Sequence, residues 1–163
     1  MNPIENLIIG FQDLVAQLPD WLQPLIVALA GAVPFVEGEG GTVIGVVGGV
    51  NPVVAAVAAA AGNFIAVAIV VLLGARIRAA FTRGRQPRPR SARMAKFQRA
   101  FNRYGVAGVS LLGPLLLPTH FTAAALAGSG VAKGRVLAWQ AVAIALWTTL
   151  TVLIVTGIIA IAR

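Results

Sequence analysis

Three ionisable side chains sit where an apolar chain should have none. Glu37 and Glu39 fall inside VPFVEGEGGTV, residues Val33 to Val43, and the run from Leu22 to Val50 holds no other charge. His120, the sole histidine, lies in PTHFT, inside a run from Gly105 to Val131 that has no Lys, Arg, Asp or Glu. Two carboxylates separated by one glycine do not ionise together easily, so such a pair can take up and release a proton near neutral pH. An imidazole facing them would make a relay. Thr119 and Thr122 add hydroxyls that suit a substrate, and Asn63 and Gln140 are lone amides in otherwise apolar runs. Plainer roles stand beside these. The acids can complement the start of a helix, the histidine can be a satisfied polar residue, the threonines can cap, and the amides can bridge helices.

Other chemistry is disfavoured. With no cysteine there is neither a disulfide nor a thiolate metal site. One histidine and two acids are too few ligands for a metal centre. GEGG lacks the Lys-Ser/Thr of a nucleotide-binding loop, and no Ser/His/Asp set has useful spacing. The chain therefore reads as a non-enzyme that needs no cofactor.

The elements that must hold these residues follow from composition. Of 163 residues, 58% are hydrophobic and 11% charged, against about a quarter charged in a soluble domain. Val53 to Ala75 and Val136 to Ala162 carry no charge, and each is long enough to cross a hydrocarbon core of about 30 Å. One all-α integral membrane domain, residues 1–163, is expected. Residues 1–21 form an amphipathic interfacial helix with Leu7, Phe11, Leu14, Val15 and Leu18 on one face. This segment has acids and no Lys or Arg, so it does not read as a secretory signal.

Residues 22–50 are awkward. As one helix they would extend about 43 Å, too long for one upright span and too short for two. Pro34 and the cluster Gly38, Gly40, Gly41 interrupt them, which predicts a re-entrant hairpin of two half-helices, Leu22 to Val33 and Gly41 to Val50. Residues 52–74 form a spanning helix, and residues 105–131 repeat the awkward length with breaks at Pro114 and Pro118. Residues 134–161 form the last span. Trp21 and Trp139 read as interfacial anchors, with Trp147 deeper. Each half thus has a half-helix, a Pro-centred break, a second half-helix and a full span, an order that points to a transporter site.

Charge placement fixes the sidedness. The net charge is +8, and ten of the thirteen basic residues lie between Arg76 and Arg103. Residues 75–104, with Arg83, Arg85, Arg88 and Arg90, read as a basic cytoplasmic loop and surface helix obeying the positive-inside bias. They suit anionic lipid headgroups better than nucleic acid. If residues 105–131 are re-entrant, Lys133 and Arg135 share that face and the two hairpins enter from opposite sides, an inverted repeat.

PFVEGEGG and LLLPTHFTAAALAG resemble the two breaks of the bacterial small multidrug export membrane family, in its actinobacterial form. Pro34, Glu37 and Pro118 match that family's break positions. More distantly, residues 104–147 are similar in layout to the DedA superfamily, whose members have two opposed re-entrant hairpins and are implicated in moving lipids. Those proteins carry arginines around the second break, where this chain has His120. The resemblance implies a multi-pass protein of the bacterial inner membrane, and because 163 residues are few for a closed pathway a homodimer is expected. Its expected partners are membrane lipid, protons and a small amphipathic or lipid substrate. The expected site lies at the two hairpin tips. Glu37, Glu39 and His120 couple protons there, and Pro34, Gly38, Gly40, Asn63, Pro118, Thr119, Thr122 and Gln140 line it. Two other functions fit the same residues: DedA-like translocation of a lipid or polyprenyl-phosphate carrier, and a non-transporting scaffold that engages a partner through the basic loop.

Overall fold

The structure, a computed structural model, describes residues 3–82 and 105–162, with side chains for 3–74 and 105–162. Arg83, Arg85, Arg88 and Arg90 lie outside the described residues, as does the surface helix expected over residues 91–104. Among the described residues the chain is helical without strands. In order the elements are α1 (Pro3–Gln17), α2 (Gln23–Gly31), α3 (Glu37–Val47), α4 (Pro52–Thr82), α5 (Val106–Leu112), a 3-10 turn (Gly113–Leu115), α6 (Thr119–Gly128) and α7 (Lys133–Ile161). They divide between two compact units, Met1–Ala66 with Val142–Arg163, and Val67–Ala141.

Two helices are long and apolar enough to span a membrane, Pro52–Gly74 and Lys133–Ile161. Only 28% and 11% of their most apolar windows are buried inside the protein. A core helix of a soluble domain would be covered, so these faces are built for an apolar surrounding.

In the first unit, glycines set the helix spacing. A Cβ built on Gly41 would come within 3.0 Å of both the Gly31 backbone and Ala59. One built on Gly45 would meet Val27 and Ala55. These pairs run α3 antiparallel to α2 and to α4, with backbones close enough that only small residues fit. Gly62 of α4 lies against the Ala28 backbone of α2. The core around them holds Val15, Val27, Val36, Ile44, Val50 and Ala55, and α1 packs onto it with Ile8, Phe11 and Val15. Of the residues expected on the apolar face of α1, Val15 is buried, whereas Leu7 and Leu14 are exposed. Val15 seats against Gly48, where a Cβ would meet its side chain.

The second half-helix begins at Glu37, not at Gly41 as the glycine cluster suggested. Gly38, Gly40 and Gly41 sit inside α3, where close contact of Gly41 with α2 and α4, and of Gly38 with Thr148 of α7, outweighs glycine's low helix propensity. The acids therefore occupy a helix's first turn instead of a loop.

The two halves repeat with one shift. Gly49 and Gly130 have φ of 91° and 92°. The N–H of Gly49 donates to Val46 O at 3.1 Å and that of Val50 to Gly45 O at 2.9 Å. Gly130 donates to Ala127 O at 3.2 Å and Val131 to Leu126 O at 3.3 Å. Each is a Schellman cap, which needs a residue with positive φ. The two caps are 81 residues apart. The same shift superposes the ends of α2 and α5, the ends of α3 and α6, and the starts of α4 and α7. It also pairs buried positions: Val50 with Val131, Ala55 with Val136, Ala59 with Gln140, Asn63 with Ile144, and Val67 with Thr148.

Candidate functional site

In the first unit the site is built on the turn between α2 and α3. Pro34 contributes no N–H and fixes its own φ, and the chain must reverse before α3 starts. Val36 N–H and Glu37 N–H both donate to Val33 O, at 3.2 and 3.0 Å. The reversal puts Phe35 at φ 73° and Glu37 at φ 55°. Neither is glycine, and each left-handed L-residue costs roughly 1–2 kcal/mol. Strain of this kind collects at functional sites. Here it delivers Glu37, 7% exposed, to the first turn of α3.

Around that turn sit neutral polar groups. Thr42 Oγ1 donates to Gly38 O at 2.6 Å. Asn63 of α4 is 0% exposed and Thr148 of α7 is 2% exposed. A Cβ built on Gly38 would lie 2.5 Å from Thr148 Oγ1 and 3.6 Å from Asn63 Nδ2. The glycine thus lets a hydroxyl and an amide reach the α3 backbone beside the buried acid. Thr148 Oγ1 is buried and makes no hydrogen bond among the described residues, which is uncommon for a buried hydroxyl. Glu39 is half-buried, so burial separates the two acids. Gly40 is half-buried against Val36. Pro34, expected to line the site, is exposed and shapes the turn instead.

In the second unit the equivalent turn ends at Pro118, whose ψ of 144° precedes α6. Pro118 is buried with Thr119, His120 and Thr122. Thr122 Oγ1 donates to Thr119 O at 3.0 Å and accepts from Gln140 Nε2 at 3.3 Å. Gly113 admits the Thr122 methyl, which a Cβ there would meet at 2.8 Å. Ser110 Oγ and Gln140 Oε1 are buried and make no hydrogen bond among the described residues.

The predicted residues therefore gather in two groups. Glu37, Gly38 and Asn63 are neighbours in the first unit, and Pro118, Thr119, His120, Thr122 and Gln140 in the second. Sequence reasoning missed Thr42, Ser110 and Thr148. Thr148 was within reach: Val136, Gln140, Ala143, Ile144 and Thr148 form one buried stripe of α7. Its helical spacing starts from the amide already singled out. No group of three or more metal-ligating side chains occurs among the described residues.

Comparison with protein-family models, with curated proteins and with solved structures finds no match.

Proposed function

We propose that the chain is a small multi-pass transporter of the bacterial inner membrane that exports a small or amphipathic compound in exchange for protons. The observation that carries this is Glu37: an acid 7% exposed, held by a strained turn between two short helices, beside buried neutral polar groups. Ionisable residues in apolar surroundings are costly and mark proton or substrate pathways. Helices of 9 and 11 residues extend about 14 and 17 Å, half of a hydrocarbon core. That length supports a re-entrant hairpin whose tip lies at mid-membrane. The shared 81-residue shift supports a duplicated hairpin plus span, the layout of the small multidrug export and DedA-like proteins. Glu37 would take and release the proton, with Asn63, Thr148 and the Gly38 backbone receiving the polar part of the substrate. The many exposed large apolar side chains on α4 and α7 suit lipid and a second copy of the chain.

The test is proton-linked flux in vesicles containing the purified protein. Glu37→Gln should abolish dye export against a pH gradient while the protein stays folded. Full export by the variant would sink the proposal. The repeated layout also favours a second reading, translocation of a lipid or polyprenyl-phosphate carrier, which flux of a labelled lipid in the same vesicles separates from dye export. A scaffold would tolerate Glu37→Gln and fail on neutralising Arg83, Arg85, Arg88 and Arg90.

A further inference from the structure

The second unit has a buried polar set that the acid site does not use. Thr122 Oγ1 has one proton and gives it to Thr119 O, so toward Gln140 it can only accept. That fixes the Gln140 amide. Its Nε2 points at Thr122, at 3.3 Å, and its Oε1 points away. Gln140 is 0% exposed, and its Oε1 makes no hydrogen bond among the described residues. Ser110 is also 0% exposed, and its Oγ likewise makes none. Buried polar atoms normally have a partner, so two open ones in the same unit point to a ligand.

The repeat brings the two together. Under the 81-residue shift, Thr122 and Gln140 are the counterparts of Gly41 and Ala59, which also touch each other. In the first half, Gly31 of α2 packs on both. In the second half Gly113 takes that place, one position past the strict counterpart, and a Cβ on it would meet the Thr122 methyl. One turn before Gly31, Ala28 lies against Gly62 of α4, one turn on from Ala59. One turn before Gly113 is Ser110, which by the same packing faces the part of α7 that carries Gln140.

Charge narrows the ligand. The second unit, Val67–Ala141, has no acid in its sequence, so a cation buried there would have no counter-charge, which is costly. An anion would meet the open Gln140 oxygen, which only accepts. A neutral group remains. It must donate to Gln140 Oε1, and it can donate to or accept from Ser110 Oγ. A hydroxyl does both through one oxygen.

We infer that Ser110 and Gln140, braced by Thr122, bind one uncharged hydroxyl group, carried by water or by an alcohol. The site is separate from the acid at Glu37 and stands without the transport reading.

The experiment uses the full chain in phosphatidylcholine nanodiscs and has two arms. In one, an octanol carrying a diazirine is photolysed with the protein and its adducts are mapped by mass spectrometry. In the other, solid-state NMR of protein isotope-labelled at its glutamines follows magnetisation transfer from water to the Gln140 side-chain amide, identified by its loss in Gln140→Leu. An alcohol ligand gives saturable labelling on α5 or beside Gln140, suppressed by excess octanol and not by octane. A water ligand gives no saturable labelling and a water contact at Gln140. Ser110→Ala, a change that a helix accepts readily, should cut whichever signal is found about fivefold, the worth of one hydrogen bond. Glu37→Gln should leave it unchanged, which keeps this outcome distinct from failure of the transport proposal. The inference is overturned if neither arm gives a signal, or if the signal is the same in Ser110→Ala as in the wild type.

Discussion

Gly38→Ala tests the geometry of the acid site directly. The added Cβ would sit 2.5 Å from Thr148 Oγ1, where ordinary contact begins near 3.4 Å. Roughly 1 Å must be absorbed, and both positions are buried. Thr148 is β-branched, so its χ1 has few helical alternatives, and forcing it off a rotamer costs about 0.5–1.5 kcal/mol. Overpacking a tight contact costs about 1–3 kcal/mol in total. Alanine regains up to about 1 kcal/mol of helix propensity over glycine, and Gly38 does not have a positive φ that alanine would resist. The net expectation is a loss of about 1–2 kcal/mol. Thr148→Ala alone should be close to neutral, because it removes a buried hydroxyl that makes no hydrogen bond among the described residues. The double variant should return to wild-type stability or above it. Equilibrium unfolding of the four proteins in mixed micelles gives the cycle. If the two effects add within about 0.5 kcal/mol, the residues are not in contact and the described site is wrong. Transport should separate from stability in the same set, since the double variant folds but lacks the hydroxyl beside Glu37.

Gly62→Ala should be far more damaging than Gly38→Ala, roughly 3 kcal/mol or more, because its Cβ would overlap the Ala28 backbone, which no rotamer change can move. Gly74→Ala, with nothing within 4 Å, should be neutral or gain up to about 1 kcal/mol, and the same micelle unfolding assay reads both. Gly49→Ala and Gly130→Ala should each cost about 1 kcal/mol, and by similar amounts, because both glycines hold φ near 90° in the same cap. Single cysteines at Lys133 and Leu116 test the topology in this cysteine-free chain. Lys133→Cys should react with an impermeant maleimide only from the cytoplasmic side, and Leu116→Cys weakly from either side. Labelling of Lys133→Cys from outside would make residues 105–131 a single crossing.

The long spans were legible because twenty or more uncharged residues leave one solution in lipid, and Pro52 and Lys133 start α4 and α7 close to where apolar runs begin. The break at Pro34 was legible for the same local reason. The start of α3 was not. Glycine reads as a turn former in water, and what favours helix at Gly38 and Gly41 is close packing against Thr148 and against Gly31 and Ala59, which no local window contains. The site was half legible. A charge such as Glu37 announces itself in an apolar run, whereas Thr148 stands among three other threonines near the end of the chain. Only the phase of α7 tells which hydroxyl faces inward. Phe35 and Glu37 in left-handed conformations could not be foreseen, since their residue types argue against it.

The 81-residue shift gives the chain a comparison sequence inside itself. At Gly62 the first half has no room for a Cβ, because the Ala28 backbone lies there, whereas its counterpart in the second half, Ala143, carries one. Where the halves diverge, as at Ala59 and Gln140 or Val67 and Thr148, one carries a polar side chain at the position where the other carries an apolar one. These differences offer a ready set of exchanges: transplanting a residue from its counterpart, such as Thr148→Val or Gln140→Ala, brings in a side chain that the same architecture already accommodates.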